Sequence, residues 1–167
     1  MDTQLLLSST EIKPATRKHL LQLRGMMRAL HEEHHLRDPD LFKEPDDVEK
    51  SKDIAAYLDD PNCLVYVVID KQQSKRSCVA FISGHFCELI STVSKPIMMG
   101  SVDELYVKPE WRHKGLGRAL MDHLNHVLKQ YGASQVFVEV WHSNKDAVKM
   151  YQECGFSHHI HWLRKAL

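Results

Sequence analysis

Arg112, Lys114 and Arg118 are gathered around Gly115 and Gly117 in Val107-Lys108-Pro109-Glu110-Trp111-Arg112-His113-Lys114-Gly115-Leu116-Gly117-Arg118-Ala119-Leu120, a run that joins an apolar strand to a helix. That composition suits an anion. Glycine carries no Cβ, so the backbone at Gly115 and Gly117 can approach a ligand closely, and the first amides of the helix have no acceptors within it. A helix start attracts negative charge, and three basic side chains add formal charge for phosphate oxygens. The spacing excludes a Walker P-loop, which needs Gly-x-x-x-x-Gly-Lys-Ser/Thr. It also excludes a dinucleotide fingerprint, because Leu120 stands where the third Gly or Ala belongs. Another phosphate ligand is expected.

The segment Arg112 to Gly117 resembles the Arg/Gln-x-x-Gly-x-Gly/Ala signature of the GNAT family of N-acetyltransferases, whose turn holds the pyrophosphate of coenzyme A. A second block, Asn144-Lys145-Asp146-Ala147-Val148-Lys149-Met150-Tyr151-Gln152-Glu153-Cys154-Gly155-Phe156, is similar to that family's Asn-x-x-Ala-x-x-x-Tyr-x-x-x-Gly-Phe segment. The resemblance covers residues 100–156. It implies an α/β (α+β) fold with a central mixed, twisted sheet of about six to seven strands, flanked by about four helices. Two parallel strands at its centre splay apart to form the acyl-coenzyme A slot.

The resemblance also implies site residues. Arg112, His113, Lys114, Gly115, Leu116, Gly117 and Arg118 would hold the pyrophosphate, the backbone of Leu105, Tyr106 and Val107 would pair with the pantetheine amides, and Asn144 would cap its helix and bond the cofactor. Tyr151 matches the tyrosine that protonates the departing thiolate; with a reference pKa near 10 a phenol is a donor at neutral pH. An alkyl amine with a pKa of about 10.4 arrives protonated, so a carboxylate is needed to take that proton. Asp103 and Glu104 are the candidates. Strand alternation puts them on opposite faces, so one of the two lines the acceptor side, with Asp103 at the family's usual position.

The elements that must position these groups read from periodicity. Residues 5–13 suit an opening strand. In residues 17–33, Leu20, Leu21, Leu23, Met26, Met27 and Leu30 recur at helical spacing, and after an irregular connection a second helix is expected over 48–58. Strands are expected at 63–69, 78–84 and 102–107, the first two joined across 70–77. A helix over 116–131 with Leu116, Leu120, Leu124 and Leu128 on one face follows, then a strand carrying Val136, Val138 and Val140. A helix begun by Asn144 and a last strand over 156–163 complete the chain.

A chain of 167 residues fits one domain, 1–167, and its 22 basic and 22 acidic residues cancel. No nucleic-acid or membrane partner is expected from that balance. Cys63, Cys78, Cys87 and Cys154 are scattered and read as reduced thiols, and no signal-length apolar run is present, so a cytoplasmic setting is expected. Among the 12 histidines, His31, His34 and His35, and later His158, His159 and His161, cluster in sequence. Without a His-Glu-x-x-His motif or a neighbouring Cys, no metal is expected. The resemblance implies that the first group and Phe42 rim the acceptor side, which the first two helices and their connection cover in that family.

The reading that follows is an acetyl-coenzyme A-dependent N-acetyltransferase acting on a primary amine, a small molecule before a protein, by direct attack in a ternary complex. Two alternatives stay open: a protein or aminoacyl-tRNA acceptor, and a non-catalytic acyl-coenzyme A sensor. The resemblance and the apolar Ile160, Trp162 and Leu163 also suggest a homodimer.

Overall fold

The computed structural model describes residues 9–72 and 77–166. Five strands form one mixed sheet in the order β1-β2-β3-β4-β5: β1 (Thr10–Pro14), β2 (Cys63–Asp70), β3 (Ser77–Leu89), β4 (Ile97–Val107) and β5 (Gln135–Val138). The first four run antiparallel to their neighbours, and β5 joins β4 in parallel. A parallel pair needs a crossover. Here it is supplied by α4 (Leu116–Gln130), which follows the glycine turn.

Alternation sorts the strand residues onto two buried faces. Val65, Val67, Ile69, Phe81 and Tyr106 pack with Leu23, Met26 and Met27 of α1 (Leu20–Arg37). Leu64, Val68, Ile82 and Val102 pack with the Leu116, Leu120, Leu124 and Leu128 stripe of α4 and with Tyr151 of α5 (Lys145–Glu153). Leu21 falls off the α1 stripe and is exposed.

Several expectations are corrected. Among the described residues the sheet has five strands, against the expected six to seven or so. The expected last strand over 156–163 is irregular, with Ile160, Trp162 and Leu163 largely exposed; an apolar pattern becomes a strand only where a neighbouring strand completes its ladder. The expected helix over 48–58 is two, α2 (Pro45–Ser51) and α3 (Ile54–Asp59). Lys52 leaves helical geometry at φ −141°, and Asp53 caps α3 by accepting from the Ala55 amide at 3.0 Å. Residues 5–8 of the expected first strand, and 73–76 of the connection after β2, lie outside the described residues.

Candidate active site

The β4–β5 ladder runs only from Met99↔Gln135 to Val102↔Val138, yet β4 continues to Val107. Past Val102 the strands therefore part into a fork. Lys108 donates its amide to the Val79 carbonyl at 3.0 Å, and Glu104 donates its amide to Ser83 Oγ at 3.1 Å. Even-numbered backbone groups thus face β3, and alternation turns those of Leu105 and Val107 toward the fork. Tyr106 directs its backbone to β3, opposite Phe81.

The glycine turn sits beside this edge. Gly115, at φ 83°, is the N-cap of α4 in the left-handed region that favours glycine, and His113 just before it also has positive φ at 58°. The first amides of α4 then emerge without intrahelical acceptors. A Cβ built on Gly117 would meet nothing nearer than Val107 Cγ2 at 3.9 Å and Leu105 Cδ2 at 4.0 Å. Packing therefore does not demand glycine here. What glycine leaves is room between the helix start and the fork, which fits a ligand whose phosphates reach the amides and whose arm runs along β4.

The basic side chains hold the turn as well as charging it. Arg112 donates to the Val107 carbonyl at 2.8 Å, forms an ion pair with Glu33 of α1, and lies 5.4 Å from the Tyr106 ring centre. Lys114 donates to the Glu110 carbonyl at 2.6 Å, and Arg118 to the Glu153 carbonyl at 2.9 Å, which ties α4 to the end of α5. Asn144 caps α5, accepting from the Ala147 amide at 3.4 Å. Tyr151, in the second turn of α5, is buried, and that burial, reinforced by Cys154, pushes its phenol up to about 12.

The two acids do not obey simple alternation. Ser83 pairs with Glu104 and Gly84 with Val102, so Asp103 is the extra residue of a β-bulge. Bulges re-aim side chains next to sites. Glu104, at 4% exposure, is surrounded by donors: Lys52 Nζ lies 2.5 Å away, Tyr57 donates its hydroxyl at 3.2 Å, and Ser83 Oγ donates to the other oxygen. Asp103 accepts from Ser101 Oγ at 2.8 Å and pairs with His85 Nδ1. Tyr57 stands over His85, ring centres 5.7 Å apart, so the two acids meet around one aromatic pair. Burial, then the charges of Glu104 and Asp103, raise the Tyr57 phenol.

A fork beside a glycine-opened helix, with a bulged acid where the strands part, is the arrangement that comparison with known families resolves. The family description "Acetyltransferase (GNAT) family" matches residues 26–156. The chain belongs to that family. An acetyltransferase structure from Vibrio fischeri is 44% identical, covering 78% of this chain and 96% of that one, with a TM-score of 0.62. The [ribosomal protein bS18]-alanine N-acetyltransferase of Escherichia coli is 39% identical over 51 residues, which span 30% of this chain and 34% of that protein. The match thus covers about a third of that curated relative's length. The structure of AAC(6')-Iy with a coenzyme A-acetylneamine bisubstrate analogue shares the fold at 16% identity, covering 95% of this chain and 99% of that one, with a TM-score of 0.67.

In this GNAT member, the connection after α1 is tied to the chain that follows β5. His34 stacks on Phe42 at 5.1 Å, and Phe42 meets Trp141 edge-on at 4.9 Å, joining the first helix to the chain just past β5. His35 Nδ1 lies 2.9 Å from the Phe42 carbonyl and its Nε2 lies 3.1 Å from Glu44. His31 Nε2 is buried without a hydrogen-bond partner among the described residues. Burial lowers the affinity of both His31 and His34 for a proton. Lys52, Tyr57, Ser83, His85 and Trp141 have no motif in the sequence, since each reaches the site only through the fold. Among the described residues, Asp60, Cys63 and His85 are three metal-ligating side chains whose ligand atoms lie within 4.8 Å of one another.

Proposed function

We propose that this chain transfers an acetyl group from acetyl-coenzyme A to a small primary amine, with both substrates bound together in the fork. The space left by Gly117, facing Leu105 and Val107, carries the reading. It puts an anion site and a strand edge in line, as a pyrophosphate followed by a pantetheine arm requires. Acetyl-coenzyme A supplies the activated thioester; the remaining work falls to the protein.

Arg112, Lys114 and Arg118, with the amides from His113 to Arg118, hold the pyrophosphate, and Asn144 binds further along the donor. The Leu105 N–H faces the fork and donates to the thioester oxygen, a contact of the type whose removal costs about 2.7–4 kcal/mol. Holding donor and amine in one slot can supply up to about 7–11 kcal/mol of alignment. Asp103, at the point of divergence, takes the ammonium proton with His85 beside it, while Glu104 is committed to Lys52, Tyr57 and Ser83. Tyr151 protonates the thiolate.

The aromatic closure by His34, Phe42 and Trp141 supports an amine borne on a compact body rather than an extended peptide. The relatives' names span both kinds, a protein alanine and an aminoglycoside. No described helix is long and apolar enough to cross a membrane, and all four cysteines are free, which is compatible with a reducing, cytoplasmic setting. Exposed Ile160, Trp162 and Leu163 support a homodimer; light scattering at micromolar concentration should give twice the chain mass, and a single-chain mass would refute it.

The test is thiol release from acetyl-coenzyme A with polyamines, aminoglycosides, aralkylamines, amino acids and peptides as acceptors. At least one small amine should support turnover, and Asp103→Asn should lower its rate by about 10²–10⁴-fold. Turnover with peptides alone would move the acceptor to protein. Cofactor binding without thiol release from any acceptor would make this a sensor.

A further inference from the structure

One grouping of ligand atoms has no role in acetyl transfer beyond the contact of His85 with Asp103. The turn Asp60-Pro61-Asn62-Cys63 links α3 to β2, and it is fixed by two local bonds: Asn62 donates its amide to Asp60 Oδ1 at 2.8 Å, and Cys63 donates its amide to the Asp60 carbonyl at 3.1 Å. The carboxylate and the thiol are thereby placed on the same side. Across the β2–β3 ladder, Cys63 is paired with His85, and its Sγ lies 2.6 Å from Nε2. The oxygen, sulfur and nitrogen atoms all lie within 4.8 Å of one another.

We propose that Asp60, Cys63 and His85 form a binding site for a divalent cation of the zinc class, with one coordination position left for water or another ligand. The donor set is decisive for the class. One thiolate, one imidazole and one carboxylate match a borderline-soft, four-coordinate ion and do not match magnesium or calcium, which take oxygen.

The surroundings are those of a metal-binding histidine. Its second nitrogen, Nδ1, is held by Asp103, so the N–H sits on that side and Nε2 keeps its lone pair for the ion. Asp103 is itself fixed by Ser101 Oγ at 2.8 Å, and the Tyr57 ring covers the imidazole. Burial first, then the negative charges of Asp60, Asp103 and Glu104, push the Cys63 thiol up to about 12, and a bound cation is what would offset that charge. Binding is balanced by loss of one proton: the Cys63 S–H gives it to solvent, and the S⁻ then bonds the cation. Zinc at about 2.3 Å from sulfur and about 2.0–2.1 Å from nitrogen holds those ligands roughly 3.5 Å apart, so the pair opens by about 1 Å as the ion enters.

The experiment is titration of the chelator-treated full chain with Co(II), followed by absorbance. A near-ultraviolet thiolate-to-cobalt band with tetrahedral visible bands should saturate at about one ion per chain, release a proton, and disappear when Zn(II) is added. Cys63→Ser should abolish the near-ultraviolet band, and His85→Ala should weaken binding strongly. Asp103→Asn should weaken binding by about 10–100-fold, the effect expected of a group that orients a ligand. Cys87→Ser, at an exposed thiol outside the grouping, should leave the cobalt band in place. Absence of the band in wild type, or its persistence in Cys63→Ser, would overturn the site. Circular dichroism of each metal-free variant separates lost binding from lost folding. The readout needs no acetyl donor, so it stands whether or not the transferase reading does.

Discussion

At the level of single residues, Tyr151 separates chemistry from binding. Its phenol is held up to about 12 by burial and Cys154, so it stays protonated, and hence a donor, across the working range. A raised value means that the acid is lost only as pH climbs through it. The rate should therefore show no decline assignable to this tyrosine below about pH 11. Tyr151→Phe keeps the ring against Phe156, 5.6 Å away, and removes the proton. Cofactor affinity should hold while the maximal rate falls by about 10²–10⁴-fold; activity within about twofold of wild type would dismiss it as the acid. Gly117 tests the other half of the site. Gly117→Asp would fill the space beside Val107 and Leu105 and set a negative charge at the proposed phosphate site, so calorimetry should show cofactor binding largely lost. Unchanged affinity would move the pyrophosphate elsewhere.

Between elements, the bulge in β4 does the positioning. A Cβ on Gly84 would come within 2.3 Å of the Ser101 carbonyl, a backbone atom in the paired strand. Only a residue without a side chain lets β3 and β4 close at the point where Asp103 is extruded. Gly84→Ala should destabilise the fold by about 1–3 kcal/mol, read as a lowered urea midpoint, and it should displace Asp103 and slow turnover beyond the stability loss. A midpoint equal to wild type would show that the strands part at no cost. This bulge also explains why the acids were only half legible in the sequence. Alternation assigned Asp103 and Glu104 to opposite faces, yet the extra residue brings both around Tyr57 and His85. The partners that occupy Glu104 come from two elements and a connection: Tyr57 in α3, Ser83 in β3 and Lys52 between α2 and α3. No local pattern announces such contacts. The glycine turn and the Asn144 to Phe156 block were legible because their chemistry is local, carried by a helix start and by side chains one helical face apart. The segment after Phe156 misled for the opposite reason, since its apolar residues resemble a strand but find no ladder.

Across the whole molecule, opposite charges cancel, so pH sensitivity near neutrality rests on histidines, and the fold buries some of them uncharged. Burial lowers His31 and His34, the former further through Lys52 and the latter through His31 and Arg37, with Glu33 opposing at His34. His19 and His123 are lowered first by burial as well. The sign follows from linkage. Above the ordinary histidine value of 6.5, both folded and unfolded chains hold neutral imidazole, and no stability is lost. As pH falls through 6.5, the unfolded chain takes up protons that the folded chain resists. Stability therefore declines until pH passes below the lowered folded values. The melting temperature should fall between about pH 7.5 and about 5.5, before carboxylate titration contributes, with reference values of about 3.9–4.3. His34→Phe preserves the stack on Phe42 and has no proton to accept, so its curve should fall less steeply than wild type over that interval. The same contact belongs to the aromatic cluster proposed to close over the acceptor. A variant with wild-type activity at neutral pH and a flatter pH profile would show that this stack serves packing and that its histidine sets the acid limit. Parallel melting curves for the two proteins would show instead that His34 protonates equally in both states, and that its burial does not govern the acid response.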